Sequence, residues 1–223
     1  PKINVKANSR WTQQAYIRLI GLLYLPDSVH KIMRLDSDLV VNGSICDFYE
    51  SPLLNNNILG IKECLNWNAQ KIKNLHITDG LYLNSGVILF DVDYYKKIVR
   101  NIKLLETLIN ELNLNDSIDQ DFINKIYDGN KILMPDDRYM RFCAKYHNID
   151  SDYRASKPII FHYAGFHKPW NYNGFVNYRS VYWKYAIHTF GLCFFISLSV
   201  KRMCWLLTFP ARKLYDLCHR PCI

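Results

Sequence analysis

The chain has 223 residues, 49% of them hydrophobic and 22% charged, which suits one sizeable buried core and excludes a disordered or low-complexity protein. The net charge is +8, but it is local: from Arg154 onward there are 10 Lys and Arg against 1 acidic residue, Asp216. The residues before Arg154 carry 18 basic and 19 acidic groups, so the basic character excludes no substrate for the main domain. No nucleic-acid-binding motif accompanies the basic end, and no nucleic-acid partner is expected. The seven Cys, at 46, 64, 143, 193, 204, 218 and 222, form no Cys-x-x-Cys pair. Their odd number and scatter argue against a disulfide framework and fit a reducing cytosol.

The predicted elements run as follows. Ser9 is positioned to cap a helix from Arg10 to about Leu25, stopped by Pro26. Trp11, Ala15, Leu19, Leu22 and Leu23 fall near helical spacing and form its core face. Lys31–Leu35 reads as a buried strand. It leads into Asp36-Ser37-Asp38, two carboxylates one residue apart between apolar runs. Neighbouring carboxylates are unfavourable unless a cation or partner compensates, so Asp-x-Asp at a strand end can seat a divalent metal. The same pattern is common in solvated turns, and the residues alone leave both readings open.

Asn84-Ser85-Gly86 reads as a turn before a strand over Val87–Phe90. Asp93 is expected to cap a single long helix through Asn113, with Ile98, Ile102, Leu105, Ile109 and Leu112 on one stripe. Ser117-Ile118-Asp119-Gln120 fits a capping box opening a short helix to Tyr127, ended by Gly129. Lys131–Met134 and Pro158–Tyr163 are further strands. Strands alternating with helices predict an α/β domain, whose ligands sit at strand ends. Past Tyr178, Tyr182, Trp183 and Tyr185, Ala186–Val200 is an apolar run too short to span a bilayer and interrupted by His188 and Thr189. Lys201-Arg202, Trp205-Leu206-Leu207 and Arg212-Lys213 then alternate basic and apolar groups, as an interfacial anchor does; a packed helical hairpin or a subunit contact is the other reading.

Four segments taken together are more specific than any one. They are Arg34-Leu35-Asp36-Ser37-Asp38, Asp79 to Phe90 with its Asn84-Ser85-Gly86, Asp119-Gln120-Asp121, and His162-Tyr163-Ala164-Gly165-Phe166-His167-Lys168-Pro169-Trp170. In this order they resemble the retaining family 8 glycosyltransferases. That family includes the bacterial lipopolysaccharide galactosyl- and glucosyltransferases and, more distantly, glycogenin and galactinol synthase. The resemblance runs over residues 9–172.

The resemblance implies a single Rossmann-like nucleotide-diphospho-sugar transferase domain of the glycosyltransferase A type over residues 1–174. After Trp170 the resemblance fades, and the basic, aromatic and apolar pattern described above is read as a helical, membrane-associating tail over residues 175–223. Family members usually begin with a strand carrying an Asp-Asp-x-Tyr-like segment that holds the base. Nothing before Ser9 resembles it, and the chain opens at Pro1 without an initiator Met or signal-peptide pattern, so an incomplete N-terminal part is expected.

Asp36, Asp38 and His162 are implied as ligands of Mn²⁺, with Mg²⁺ the second choice because an imidazole ligand suits it poorly. Arg18, Gly165 and Lys168 are implied on the donor diphosphate, Asn84 on the transferred sugar, Asp119 on its hydroxyls and Gln120 beside the anomeric carbon. Asp79 and Asp121 are supporting groups, and His167 falls where the family varies. The residues themselves keep other readings open. Arg18 fits a solvated helix face, His162 a core histidine, Asn84 a turn, and Asp119 and Gln120 a helix cap.

The implied reaction is retaining transfer of galactose or glucose from a UDP-sugar to a saccharide or glycolipid acceptor in lipopolysaccharide or other surface-glycan synthesis. The expected location is the cytoplasmic side of a bacterial inner membrane, held peripherally on its anionic surface. The alternatives are a metal-dependent sugar nucleotidyltransferase and a non-catalytic glycan- or membrane-binding fragment.

Overall fold

The structure is a computed structural model that describes residues 14–53, 57–63, 68–112, 118–144, 156–171, 176–191, 193, 196, 197 and 200. The expectations at Ser9, Trp11, Ser117, Lys201, Arg202, Trp205, Arg212 and Lys213 lie outside the described residues, as does the Ala15 side chain. The described residues fall into two compact units. One holds residues up to 142 together with 156–162; the other holds 143–144 and the residues from 163 onward.

The first unit is built on two mixed sheets. In the larger, the order is β1 (Lys31–Leu35), β4 (Leu83–Asp91), β3 (Ile58–Lys62), β5 (Lys131–Leu133). β1 and β3 flank β4 antiparallel, while β5 runs parallel to β3. In the smaller, β7 (Ile160–His162) lies between β2 (Leu39–Val41), antiparallel, and β6 (Arg141–Phe142), parallel.

β4 is the centre of the unit because both of its faces are apolar, as a strand covered on both sides requires. Ile88 and Phe90 face one cluster with Tyr16, Leu19, Tyr95, Val99, Leu105, Ile109, Phe122 and Ile123. That cluster draws on α1 (Gln14–Leu23), α4 (Val92–Val99), α5 (Ile102–Leu112) and α6 (Ile118–Ile126). Val87 and Leu89 alternate to the opposite cluster with Phe48 of α2 (Cys46–Glu50), Leu59, Ile61, Tyr139, Met140 and Ile160. Each of these leucine, isoleucine, valine and phenylalanine side chains, fully buried, contributes about 1.5–3 kcal/mol before the cost of ordering it.

Two sequence expectations are corrected. The long helix after β4 is two helices. Asp91, not Asp93, caps the first by accepting from the Tyr94 N–H at 2.9 Å, while Asp93 pairs with His30 at 2.7 Å. Arg100 breaks the run at φ 51°, and Asn101 recaps the second helix by accepting from the Leu104 N–H at 2.9 Å. Asn side chains compete with helical hydrogen bonds in this way, which the apolar stripe conceals. Second, Asn84-Ser85-Gly86 is no turn but a buried part of β4: Leu83 before it pairs with Lys62, Val87 after it with Leu35, and the Gly86 carbonyl accepts from the Asp36 N–H. The Gln120 carboxamide faces Ser85 and Glu63, while Ser117, its expected partner in a capping box, lies outside the described residues.

In the second unit, Ala144 bridges Val176, and Asn177 donates to the carbonyls of Cys143 and Ala144 at 2.8 and 3.1 Å. α7 (Arg179–Phe190) is anchored by Tyr182, whose ring meets Trp170 at 5.3 Å and Tyr163 at 6.0 Å. Gly191, at φ 81°, ends this helix. Among the described residues no helix is long and apolar enough to cross a membrane.

Candidate metal centre and active site

β1 ends at Leu35, and the Asp36 N–H continues the ladder to the Gly86 carbonyl at 2.9 Å, so Asp36 is held by main chain. Asp38 directly precedes β2, and Leu39 is registered against His162 of β7. The register brings the imidazole to the carboxylates. His162 Nε2 lies 3.4 Å from Asp38 Oδ1 and 4.0 Å from Asp36 Oδ2. Ligand atoms of Asp36, Asp38 and His162 all lie within 4.8 Å of one another. His162 is 3% exposed; its Nδ1 is 3.4 Å from the Met140 sulfur, and its ring stacks on Phe142 at 5.8 Å.

Gly86 sits against this cluster. A Cβ there would stand 2.5 Å from His162 Cε1, 2.8 Å from Asn84 Oδ1 and 3.1 Å from Asp36 Oδ2. The space beside Asp36 and His162 is therefore kept by the lack of a side chain. Two carboxylate oxygens and one imidazole nitrogen in a cradle that a single methyl would disturb form a donor set that fits Mn²⁺. A Met sulfur on Nδ1 is at most a weak partner, and Nε2 is the nitrogen turned to the acids.

Arginines from two elements meet the acids. Arg18 on α1 donates to Asp36 Oδ1 at 2.8 Å and reaches Asp119 Oδ2 at 3.4 Å. Arg34 on β1 donates to Asp119 Oδ2 at 2.7 Å and Asp36 Oδ1 at 3.2 Å. Arg18 thus has acidic partners while staying exposed on the face of α1.

Beyond Asp119 lies a buried amide network. Glu63 Oε2 accepts from Asn84 Nδ2 at 2.6 Å and from Gln120 Nε2 at 3.2 Å. The Gln120 carbonyl oxygen accepts from the Ser85 N–H at 2.9 Å, and Asn84 Oδ1 from the Gly86 N–H at 2.8 Å. Glu63 and Asn84 are both buried. Behind them Asp121 accepts from Lys71 at 2.6 Å and from the Tyr82 hydroxyl. Burial, then the Asp121 carboxylate, push the Tyr82 hydroxyl far above its ordinary value, so it stays a donor. Asp79 belongs to a loop-closing cluster, accepting from the Gly129 and Leu81 N–H groups at 2.9 Å and pairing with buried Lys131 at 3.0 Å.

The structure therefore brings Asp36, Asp38, His162, Arg18 and Asp119 into one cluster, and joins Gln120 to Asn84. Gly165 and Lys168 are in the second unit. Gly165 adopts φ +90°, where only glycine is unstrained, and Lys168 Nζ donates to the Tyr163 carbonyl at 2.7 Å. Sequence reasoning overlooked Arg34, Glu63 and Gly86. Arg34 had a signal, since it precedes Asp36 by two positions and strand alternation sets them on one face. Gly86, a glycine opening an apolar strand, also had one. Glu63 had none.

The arrangement can hold a divalent cation beside a carboxylate and two carboxamides, with two guanidiniums for anionic groups. The chain belongs to glycosyl transferase family 8, whose family model matches residues 2–174.

The lipopolysaccharide 1,2-glucosyltransferase of Escherichia coli (strain K12) is 25% identical over 169 residues, covering 72% of this chain and 50% of that protein. The lipopolysaccharide 1,3-galactosyltransferase of Salmonella typhimurium is 27% identical over 182 residues, covering 75% and 52%. The chain thus spans about half the length of these curated relatives. The crystal structure of the galactosyltransferase LgtC with donor and acceptor sugar analogs superposes with a TM-score of 0.62 at 20% identity, covering 82% of this chain and 68% of that one. The fold is accordingly α/β of the glycosyltransferase A type.

Proposed function

We propose that the protein transfers a hexose, galactose or glucose, from a UDP-sugar to a saccharide acceptor in lipopolysaccharide or other surface-glycan synthesis, with retention at the anomeric carbon. The observation that carries this reading is the gathering of Asp36, Asp38 and His162 within 4.8 Å in a family 8 chain. Its relatives named for glucosyl and galactosyl transfer to lipopolysaccharide support the hexose and the acceptor class. The family match favours sugar transfer over synthesis of the sugar nucleotide.

Asp36, Asp38 and His162 would hold Mn²⁺, which supplies positive charge to the departing diphosphate. Arg18 would contribute further positive charge to that anion. Asn84 and Asp119 would orient the sugar through its hydroxyls. Gln120 is a carboxamide whose oxygen already accepts from Ser85, a poor nucleophile. This supports substitution on one face of the sugar over two successive inversions. The anomeric carbon–oxygen bond to the diphosphate breaks, the acceptor oxygen bonds to the same face, and its proton passes to the leaving phosphate oxygen. The reading is tested by a product screen of the protein against UDP-sugars with Mn²⁺. One predominant UDP-hexose and an α-linked product from an α-linked donor support it. A β-linked product removes retention.

The tail from residue 175 would hold the protein on an anionic membrane surface at the cytoplasmic face. Support for this comes from the alternation of basic and apolar residues at Lys201–Lys213.

A further inference from the structure

Asp36 uses its two carboxylate oxygens differently. Oδ2 faces His162 at 4.0 Å, whereas Oδ1 takes both guanidiniums, Arg18 at 2.8 Å and Arg34 at 3.2 Å. The same Arg34 nitrogen is 2.7 Å from Asp119 Oδ2, in the first turn of α6. Arg34 thus links the end of β1 to the start of α6. The two arginines are not equivalent. Arg18 is 46% exposed and its pairs are screened by solvent, while Arg34 is 11% exposed and its pairs are screened far less. Arg34 also has a strand register beneath it, since it pairs with Ile88 while Asp36 bonds to Gly86 on the same strand β4. Its guanidinium is therefore held in place, one terminal nitrogen bridging the two carboxylates, rather than a mobile tether.

We propose that Arg34 is a positioning residue of the metal centre. By holding Asp36 Oδ1, it turns Oδ2 toward His162 and Asp38, and by holding Asp119 it fixes the acid of α6 to the same point. Arg34 lies two bonds of recognition away from the cation and does not touch it. The proposal runs against simple electrostatics, which gives a cation next to a metal ligand the effect of weakening metal binding. Arg34 is already neutralised between two carboxylates, so orientation outweighs repulsion here. Groups that orient a metal ligand from behind typically change metal affinity by about 10–100-fold when removed.

This inference rests on Asp36, Asp38 and His162 being the metal ligands, and the test separates the two. Mn²⁺ is titrated by electron paramagnetic resonance, without any sugar nucleotide, into the wild type, Asp38→Asn, Arg34→Leu, Arg34→Lys and Arg18→Met. Binding by the wild type that is lost in Asp38→Asn upholds the ligand set. Arg34→Leu is then expected to weaken Mn²⁺ by about tenfold or more. Arg34→Lys, which keeps the charge but puts it on a shorter, flexible ammonium in place of the held planar nitrogen, recovers only part of it, and Arg18→Met changes affinity less than Arg34→Leu. Melting temperatures accompany each titration. If Arg34→Leu does not fold, Arg34→Lys alone decides the matter, since a lysine with full affinity overturns positioning by the held guanidinium. Unchanged or tighter Mn²⁺ binding in Arg34→Leu overturns the inference while leaving the ligand set standing. Absence of wild-type binding removes both.

Discussion

Leu39 is paired with His162 across β2 and β7, and this register sets Asp38 beside the imidazole, with Oδ1 3.4 Å from Nε2. The neighbouring ladder does the same for Asp36, whose N–H bonds to the Gly86 carbonyl. Two sheets thus deliver three side chains to one point through main-chain pairing, and the geometry tolerates little change in what lies between them.

Gly86→Ala tests that tolerance. The new Cβ would meet His162 Cε1 at 2.5 Å, so the imidazole or the strand must move. Overpacking of this kind costs about 1–3 kcal/mol. The expected outcome is a lowered melting temperature together with Mn²⁺ affinity reduced by about tenfold or more, as for a disturbed ligand setting. An alanine variant with wild-type Mn²⁺ binding would mean that the ring relaxes freely.

Glu63→Ala removes the acceptor shared by Asn84 and Gln120. Leaving buried amide donors unpaired costs about 1–3 kcal/mol. Turnover should fall because the Gln120 carboxamide loses one of its two anchors, while Mn²⁺ binding should stay unchanged, since Glu63 is outside the ligand set. Thermal melts and Mn²⁺ titration of the same preparation separate the two effects. Loss of Mn²⁺ binding would place Glu63 in the metal centre instead.

The chain also carries a pH-linked staple away from the site. Burial alone would raise the Asp128 carboxyl, but N–H donors from Thr78 and Asp79 and the Lys131 charge outweigh it and hold it below its ordinary value. A carboxylate depressed on folding stabilises above its unfolded value of about 3.9 and loses that contribution as pH falls through the folded value. Asp128→Asn should therefore lower the melting temperature at pH 7, with the gap to wild type closing as pH falls below about 4. A gap that is constant with pH would assign the loss to packing.

Local patterns made much of this architecture legible. The apolar runs at Lys31–Leu35 and Val87–Phe90 are strands, and Gly129, at φ 79°, stands just beyond the helix it was expected to end. Pairs set by tertiary structure were not legible. Nothing near Glu63 announces that it will meet Asn84 and Gln120, because the contact depends on β3, β4 and α6 packing together. Asn84-Ser85-Gly86 was misread for a related reason. Its composition favours a turn, but burial and the paired strand residues on either side of it, Leu83 and Val87, override that local preference. Likewise the stripe from Ile98 to Leu112 hides the break at Arg100, since apolar periodicity carries no information on which side chain caps the backbone.

The basic tail makes a separate prediction. Each basic residue near an anionic bilayer contributes about 1 kcal/mol. Replacing Lys201, Arg202, Arg212 and Lys213 by Ser, or raising the salt concentration, should release the protein from anionic vesicles in a sedimentation assay. Release by detergent alone would point to an inserted segment.

The most direct test of the metal-centred account is release of UDP from the preferred UDP-hexose in the presence of acceptor, comparing wild type with Asp38→Asn. Turnover should require Mn²⁺, vanish with chelator and return when the metal is restored, and Asp38→Asn should lower it by about 10²-fold or more, as loss of a main electrostatic stabiliser does. Chelator-insensitive turnover, or near wild-type turnover in Asp38→Asn, would contradict it.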